Sequence, residues 1–280
     1  MGQRPAAARA ASAELTGGIV SYYAGGWRSS GYVLTGAALA AAILIACGAA
    51  LCQSLTGFGF ALVMVPLLSL VWDVKSAVVT STILGTVALL PLLVEAWRHV
   101  RLPTVAALVA GSLAGVPAGI LLLDWIDPEA LKIMVGVTVI AASLLVYRVR
   151  EVRATRAGVV PAVAAGAVSG VLRASTSMGG PPAVLYLLGV ERNVEAFRGT
   201  ILAFFLPSSL VAIVGLAAVG RVTPDVLRVS AMALPAMAVG LVVGIWLRSR
   251  VPEETFRLLV LSILILSSVG IIVSASLDLG

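Results

Sequence analysis

Ser54-Leu55-Thr56-Gly57-Phe58-Gly59-Phe60-Ala61-Leu62-Val63-Met64-Val65-Pro66 and Ser169-Gly170-Val171-Leu172-Arg173-Ala174-Ser175-Thr176-Ser177-Met178-Gly179-Gly180-Pro181-Pro182 are apolar stretches that each break at small residues. Each lies in a hydrophobic region too long for one ordinary spanning helix, which takes about 20 residues. Glycine and proline at the breaks keep the regions from staying helical throughout. The two stretches sit at similar depths in the two halves of the chain, and they read as paired broken helices flanking a site.

The surrounding composition fixes the solvent. Of 280 residues, 60% are hydrophobic and 11% charged, with a mean hydropathy of +1.09. That leaves too little polar surface to cover a soluble globule, so the chain reads as an all-α polytopic membrane protein. The net charge of +6 comes mostly from arginines between apolar segments, the mark of loops facing a cytoplasm and not of a nucleic-acid partner. Cys47 and Cys52 lack metal-ligand spacing and read as small buried thiols. Residues 1–32 lack a compact apolar core followed by a cleavage site and read as a disordered or interfacial tail.

Apolar segments are expected at 33–55, 58–72, 76–97, 103–123, 129–147, 158–173, 180–190, 194–219, 224–247 and 255–276. Pro103, Pro128, Pro224 and Pro252 fall at first-turn positions, where a missing N–H costs nothing. They also pair across the halves: Arg101-Leu102-Pro103 resembles Arg221-Val222-Thr223-Pro224, and Asp127-Pro128-Glu129 resembles Val251-Pro252-Glu253. The halves thus read as repeats over 33–148 and 158–276, joined by a basic linker at 149–157. Gly111, Gly115 and Gly119 form one small-residue stripe, and Gly240 and Gly244 a second, both suited to close helix packing.

Charge then orients the segments. If each broken region enters and leaves on the same side, the arginine-rich loops at 98–101, 148–156, 192–198 and 248–250 share one face. The opposite face keeps Lys75, the acidic 124–129 turn, Arg221 and the Arg28 end of the tail. The positive-inside rule makes the rich face cytoplasmic and puts both termini outside. Each half becomes a broken or re-entrant hairpin plus three transmembrane helices, and the repeats are inverted. Alternating access by rocking of the halves follows as an expectation.

A break frees backbone groups that must line protein or a watery cavity. The short helices beginning at Phe58 to Phe60 and at Gly180 to Pro182 would aim free N–H groups toward the breaks, a setting for an anion. Thr56, Ser175, Thr176 and Ser177 add hydroxyl donors, while Gly57, Gly59, Gly179 and Gly180 allow close approach, with Phe58 and Met178 beside them. Arg173, a charge in an apolar region, marks the ligand as anionic unless its side chain snorkels to water. Gln53, Ser54, Glu95, His99 and the run Pro207-Ser208-Ser209 are weaker candidates. An intramembrane nucleophile with a base, a nucleotide fingerprint and a metal cluster are all missing from the sequence, so neither an enzyme nor a cofactor is expected.

At these residues the chain resembles the sulfite exporter TauE/SafE family. The resemblance rests on Thr56-Gly57-Phe58-Gly59-Phe60, Val65-Pro66-Leu67-Leu68, the run from Ala77 to Thr82, Met178-Gly179-Gly180-Pro181-Pro182, Leu185-Tyr186-Leu187 and Phe197-Arg198-Gly199-Thr200. It implies passage of a small sulfur oxyanion, sulfite or an organosulfonate, across the bacterial cytoplasmic membrane. Where Arg173 stands the family usually has a small residue, so that position is a departure. A secondary transporter is the expected function, with an anion channel or a non-transporting scaffold subunit as alternatives. Export is downhill for charge, since each negative charge leaving a negative interior gains about 2.3 kcal/mol per 100 mV.

Overall fold

The computed structural model describes residues 36–56, 59–148, 158–247 and 250. They form nine α-helices: α1 (Gly36–Thr56), α2 (Phe60–Leu68), α3 (Val74–Ala96), α4 (Leu102–Trp125), α5 (Pro128–Arg148), α6 (Val159–Thr176), α7 (Gly180–Val190), α8 (Val194–Ala218) and α9 (Pro224–Leu247), with a 3-10 turn at Trp97–His99 after α3. Among the described residues six helices, α1, α3, α4, α6, α8 and α9, are long and apolar enough to cross a membrane. The chain is an all-helical, multi-pass membrane protein. The tail at 1–32, the linker at 149–157, Pro252 and the segment expected at 255–276 lie outside the described residues.

The helix starts follow local chemistry. Pro128 and Pro224 open α5 and α9, and Pro103 stands in the first turn of α4, as their missing N–H groups allow. Asp73 caps α3 by accepting from the Ser76 N–H at 2.7 Å, and Asn193 caps α8 by accepting from the Ala196 N–H at 3.0 Å. The arms of each broken region are unequal. α1 has 21 residues and α2 only 9, while α6 has 18 and α7 11. At 1.5 Å per residue the long arms reach about 30 Å, so each can span by itself.

Two glycine seams hold the bundle. Along α4, Gly111, Gly115 and Gly119 face the carbonyl oxygens of Val163, Ala167 and Val171 on α6, and a Cβ at any of the three would overlap those oxygens. Gly170 answers from α6, where a Cβ would come within 2.5 Å of the Ser112 carbonyl oxygen. Along α9, Gly240 faces the Cys47 carbonyl and Gly244 lies against Ser54 and Leu51 of α1, a Cβ there meeting the Ser54 Cβ at 2.7 Å. In both seams a step of four on one helix meets an advance in the same direction on the other, so α4 runs parallel to α6 and α9 parallel to α1. Without a hydrophobic drive between helices in lipid, such backbone contact is a main source of cohesion.

Ion pairs mark the two ends. At one end Arg101 bonds to Glu191 at 3.1 Å, Arg198 pairs with Glu95 at 3.6 Å, and the Arg101 N–H donates to the Thr200 hydroxyl at 3.0 Å. At the other, Arg221 forms a buried ion pair with Asp124, and the Lys75 ammonium donates to the Asp124 carbonyl at 3.1 Å. α6 starts level with the start of α4, and α7 returns to Glu191 beside Arg101; the second broken region begins and ends at that end. α1 starts level with α9 at the Arg221 end, and α2 returns there to Lys75. Loops 98–101 and 192–198 therefore share a face opposite Lys75 and Arg221, the grouping that charge leads one to expect.

Gly111→Ala is expected to destabilise by about 1–3 kcal/mol through overpacking against Val163. Gly48→Ala, on the same class of helix but with nothing within 4 Å of its added Cβ, is expected to be neutral or stabilising by up to about 1 kcal/mol. Thermal midpoints of the two variants in detergent, compared with the parent chain, check both signs.

Candidate anion site

Both breaks open onto one cavity of about 40 Å³. It is far smaller than the roughly 300–1,000 Å³ of a drug-sized site and suits an ion of a few heavy atoms. Its walls come from α1 and α2, from Ser81, Thr82 and Gly85 of α3, from Arg173 of α6, from the second break, and from Phe205 of α8. Gly85 and Phe205 lie near the midpoints of α3 and α8, roughly 17 Å from either helix end at 1.5 Å per residue. The cavity is therefore deep in the bundle.

At the first break Gly59 takes φ 113, a conformation that favours glycine, and α2 begins at Phe60 with no side-chain cap. The first α2 amide to bond back is that of Val63, to the Gly59 carbonyl at 3.2 Å. The N–H groups of Phe60, Ala61 and Leu62 thus have no acceptor within the helix, and all three residues line the cavity. Gly85 makes room for Phe60, whose ring a Cβ at position 85 would approach to 3.3 Å. Thr56 ends α1, but its side chain, like Gly57 and Phe58, lies outside the described residues.

The second break is built differently. α6 continues through Thr176, three residues past the expected boundary. In its last turn the Ser175 and Thr176 hydroxyls donate to the Val171 and Leu172 carbonyls, each at 2.8 Å, and the Thr176 oxygen accepts from the Met178 N–H across the turn at 3.4 Å. Neither residue lines the cavity. The turn comes at Ser177, the one non-glycine residue with positive φ among the described residues, at 63°. Gly179 caps α7, and Met178 and Gly180 line the cavity. Pro181 and Pro182 carry no N–H, and the Ala183 N–H donates to the Ser169 hydroxyl at 3.1 Å. Of the first-turn donors expected on α7, only the Gly180 N–H remains.

Arg173 stands where those donors are missing. The residue is 8% exposed, helical and one turn before the break, so it does not snorkel to the bundle end. Its guanidinium carbon sits 4.5 Å from the centroid of the Phe205 ring, a cation–π contact. On its other side is Gly179, where a Cβ would lie 3.0 Å from the arginine Nε and 2.6 Å from the Ser169 carbonyl oxygen. Among the described residues no carboxylate pairs with Arg173, and its Nε has no hydrogen-bond partner.

The remaining polar lining is neutral. The Thr82 hydroxyl lies 3.0 Å from the Ser177 hydroxyl, which lies 3.3 Å from that of Ser81, tying α3 to the second break. Gln53 is 3% exposed, and its Oε1 has no hydrogen-bond partner. Ser54 is turned away, donating to Ala50 or Leu241 carbonyls. Glu95 and His99 lie at the bundle end, and Ser208 contacts Ser112 at 2.6 Å. Ser81, Thr82 and Phe205 were not singled out as site residues from sequence; the polar run Thr80-Ser81-Thr82 in the middle of an apolar span is the signal that points to the first two.

Gly59→Ala is expected to destabilise by more than about 1 kcal/mol, because alanine pays for the positive φ that glycine adopts freely. The thermal midpoint of the purified variant checks this.

No curated protein and no solved structure matches the chain. A family profile does, described as sulfite exporter TauE/SafE, over residues 11–271, which reaches further toward the N-terminus than the resemblance read from the motifs. With nearly the whole length matched, and with the two breaks that carry the family motifs opening onto one cavity, the chain belongs to the sulfite exporter TauE/SafE family.

Proposed function

We propose that this member of a family of sulfite-exporting membrane transporters is a secondary carrier that moves a small sulfur oxyanion, sulfite or an organosulfonate, out of the cytoplasm. The observation that carries the reading is Arg173: a buried guanidinium with no carboxylate partner among the described residues, on the wall of a cavity also lined by the uncapped start of α2. An anion entering there would be met by Arg173, by the α2 amides and by the Ser177 hydroxyl, which Thr82 holds in place while bonding back to the Val78 carbonyl at 2.8 Å. Removal from water is costly for both ions, and charge-assisted bonds on both sides offset that cost. Among the sequence candidates Gly59, Arg173, Ser177, Met178 and Gly180 are the proposed contacts, with Gly179 allowing Arg173 its place. Thr56, Gly57 and Phe58 are proposed with them from the motif alone, and Ser175 and Thr176 as residues that set the break.

The membrane we propose is the bacterial cytoplasmic one, with the Arg101–Glu191 end inside and the termini outside. Inverted repeats fit the pairing of helices: α4 lies on α6 as α9 lies on α1, and the broken regions enter from opposite ends. That pairing also reassigns the moving bodies. Rocking the sequence halves against each other would open both glycine seams at once, so the units we propose are α1–α2–α9 and α4–α6–α7, with the cavity between them. Asp124 at the end of α4 and Arg221 before α9 then form a latch across the units at the outer end.

Purified chain in liposomes is expected to give saturable sulfite flux with counterflow. Arg173→Gln, which removes the charge and keeps a polar side chain, is expected to lower that flux roughly ten- to a hundredfold, the worth of a charged hydrogen bond. Unaltered flux in this variant contradicts the site, and ohmic single-channel currents from the parent chain contradict the carrier in favour of a channel.

A further inference from the structure

We infer, on the basis of the export reading above, that the species held in the cavity is a singly charged oxyanion that still carries a proton, hydrogen sulfite and not the sulfite dianion. The first ground is charge. Arg173 supplies one full positive charge among the described lining residues, and no carboxylate opposes it. The helix dipoles add little net charge, because each break sets a C-terminus beside an N-terminus: the end of α1 beside the start of α2, and the end of α6 beside the start of α7. Half-charges of opposite sign, about 0.5 each, offset one another there. A monoanion leaves the cavity neutral, whereas a dianion leaves a negative charge uncompensated deep in the bundle.

The second ground is an acceptor that lacks a donor. Gln53 Oε1 is buried, lines the cavity from α1 and has no hydrogen-bond partner. A fully deprotonated oxyanion has only lone pairs and can bond to Gln53 only through the amide NH2 with the side chain turned over; it has nothing to offer that oxygen as placed. The O–H of a protonated oxyanion can donate to it while the other oxygens accept from Arg173 and the α2 amides. The proton must reside on the anion, because the described lining from α1, α2, α3, α6, α7 and α8 contains no titratable side chain besides Arg173, which stays charged. Glu95, His99, Asp124 and Glu191 belong to the bundle ends.

Calorimetric titration of sulfite into the full chain in detergent, in two buffers of different ionisation enthalpy, tests this. Above the second ionisation of sulfurous acid, binding is expected to take up one proton per anion, and the apparent affinity to fall about tenfold per pH unit. Gln53→Met is expected to weaken binding about tenfold where hydrogen sulfite predominates. Affinity that holds or rises with pH, with no proton uptake by the parent chain, overturns the inference even if the Gln53 variant fails to fold. Sulfite flux in liposomes separates the two readings: flux retained alongside that result overturns the protonated ligand alone, and no flux at any pH overturns the export reading together with this one.

Discussion

An arginine in the middle of an apolar bundle costs several kcal/mol unless something meets its charge. Arg173 is met in part by the Phe205 ring and by the space that Gly179 leaves, and in the protein itself by no carboxylate among the described residues. Its position depends on the rest of the fold. The last turn of α6 places it at the cavity wall, the turn at Ser177 ends the helix just beyond it, and the α4–α6 seam fixes how deep that turn lies. The hydroxyls of Ser81, Thr82 and Ser177 keep the cavity beside it polar.

The two breaks divide the work unequally. The first offers backbone amides at an uncapped helix start, held open by Gly59. The second has lost most of its amides to Pro181, Pro182 and the Ala183–Ser169 bond, and it offers a side-chain cation instead. A small residue at position 173 would leave this half of the cavity with little to hold an anion. The arginine and the proline pair thus read as parts of one arrangement.

Much of the architecture is legible in the sequence because lipid imposes strong rules. Helix spans follow from apolar run length, and loop arginines sort the ends, so the segments expected at 180–190 and 224–247 coincide with α7 and α9. The glycine stripes announce close packing, but not against which helix, since partners such as Val163 and Cys47 carry no pattern of their own. Within the site, residue type alone could not separate hydroxyls that face the cavity from those that bond back to their helix. Ser175 and Thr176 differ from Ser177 only in falling before the turn. The two prolines that strip donors from the Gly180 helix start are plain in the sequence, but it could not show that the next N–H, of Ala183, is taken by the Ser169 hydroxyl.

The most direct test of convergence on Arg173 is an experimental density map of the full chain with and without sulfite. The account predicts a compact anion feature within hydrogen-bond distance of the Arg173 guanidinium and of the amides of Phe60 to Leu62, absent when sulfite is left out. An anion bound elsewhere, with this cavity unchanged between the two maps, would contradict it.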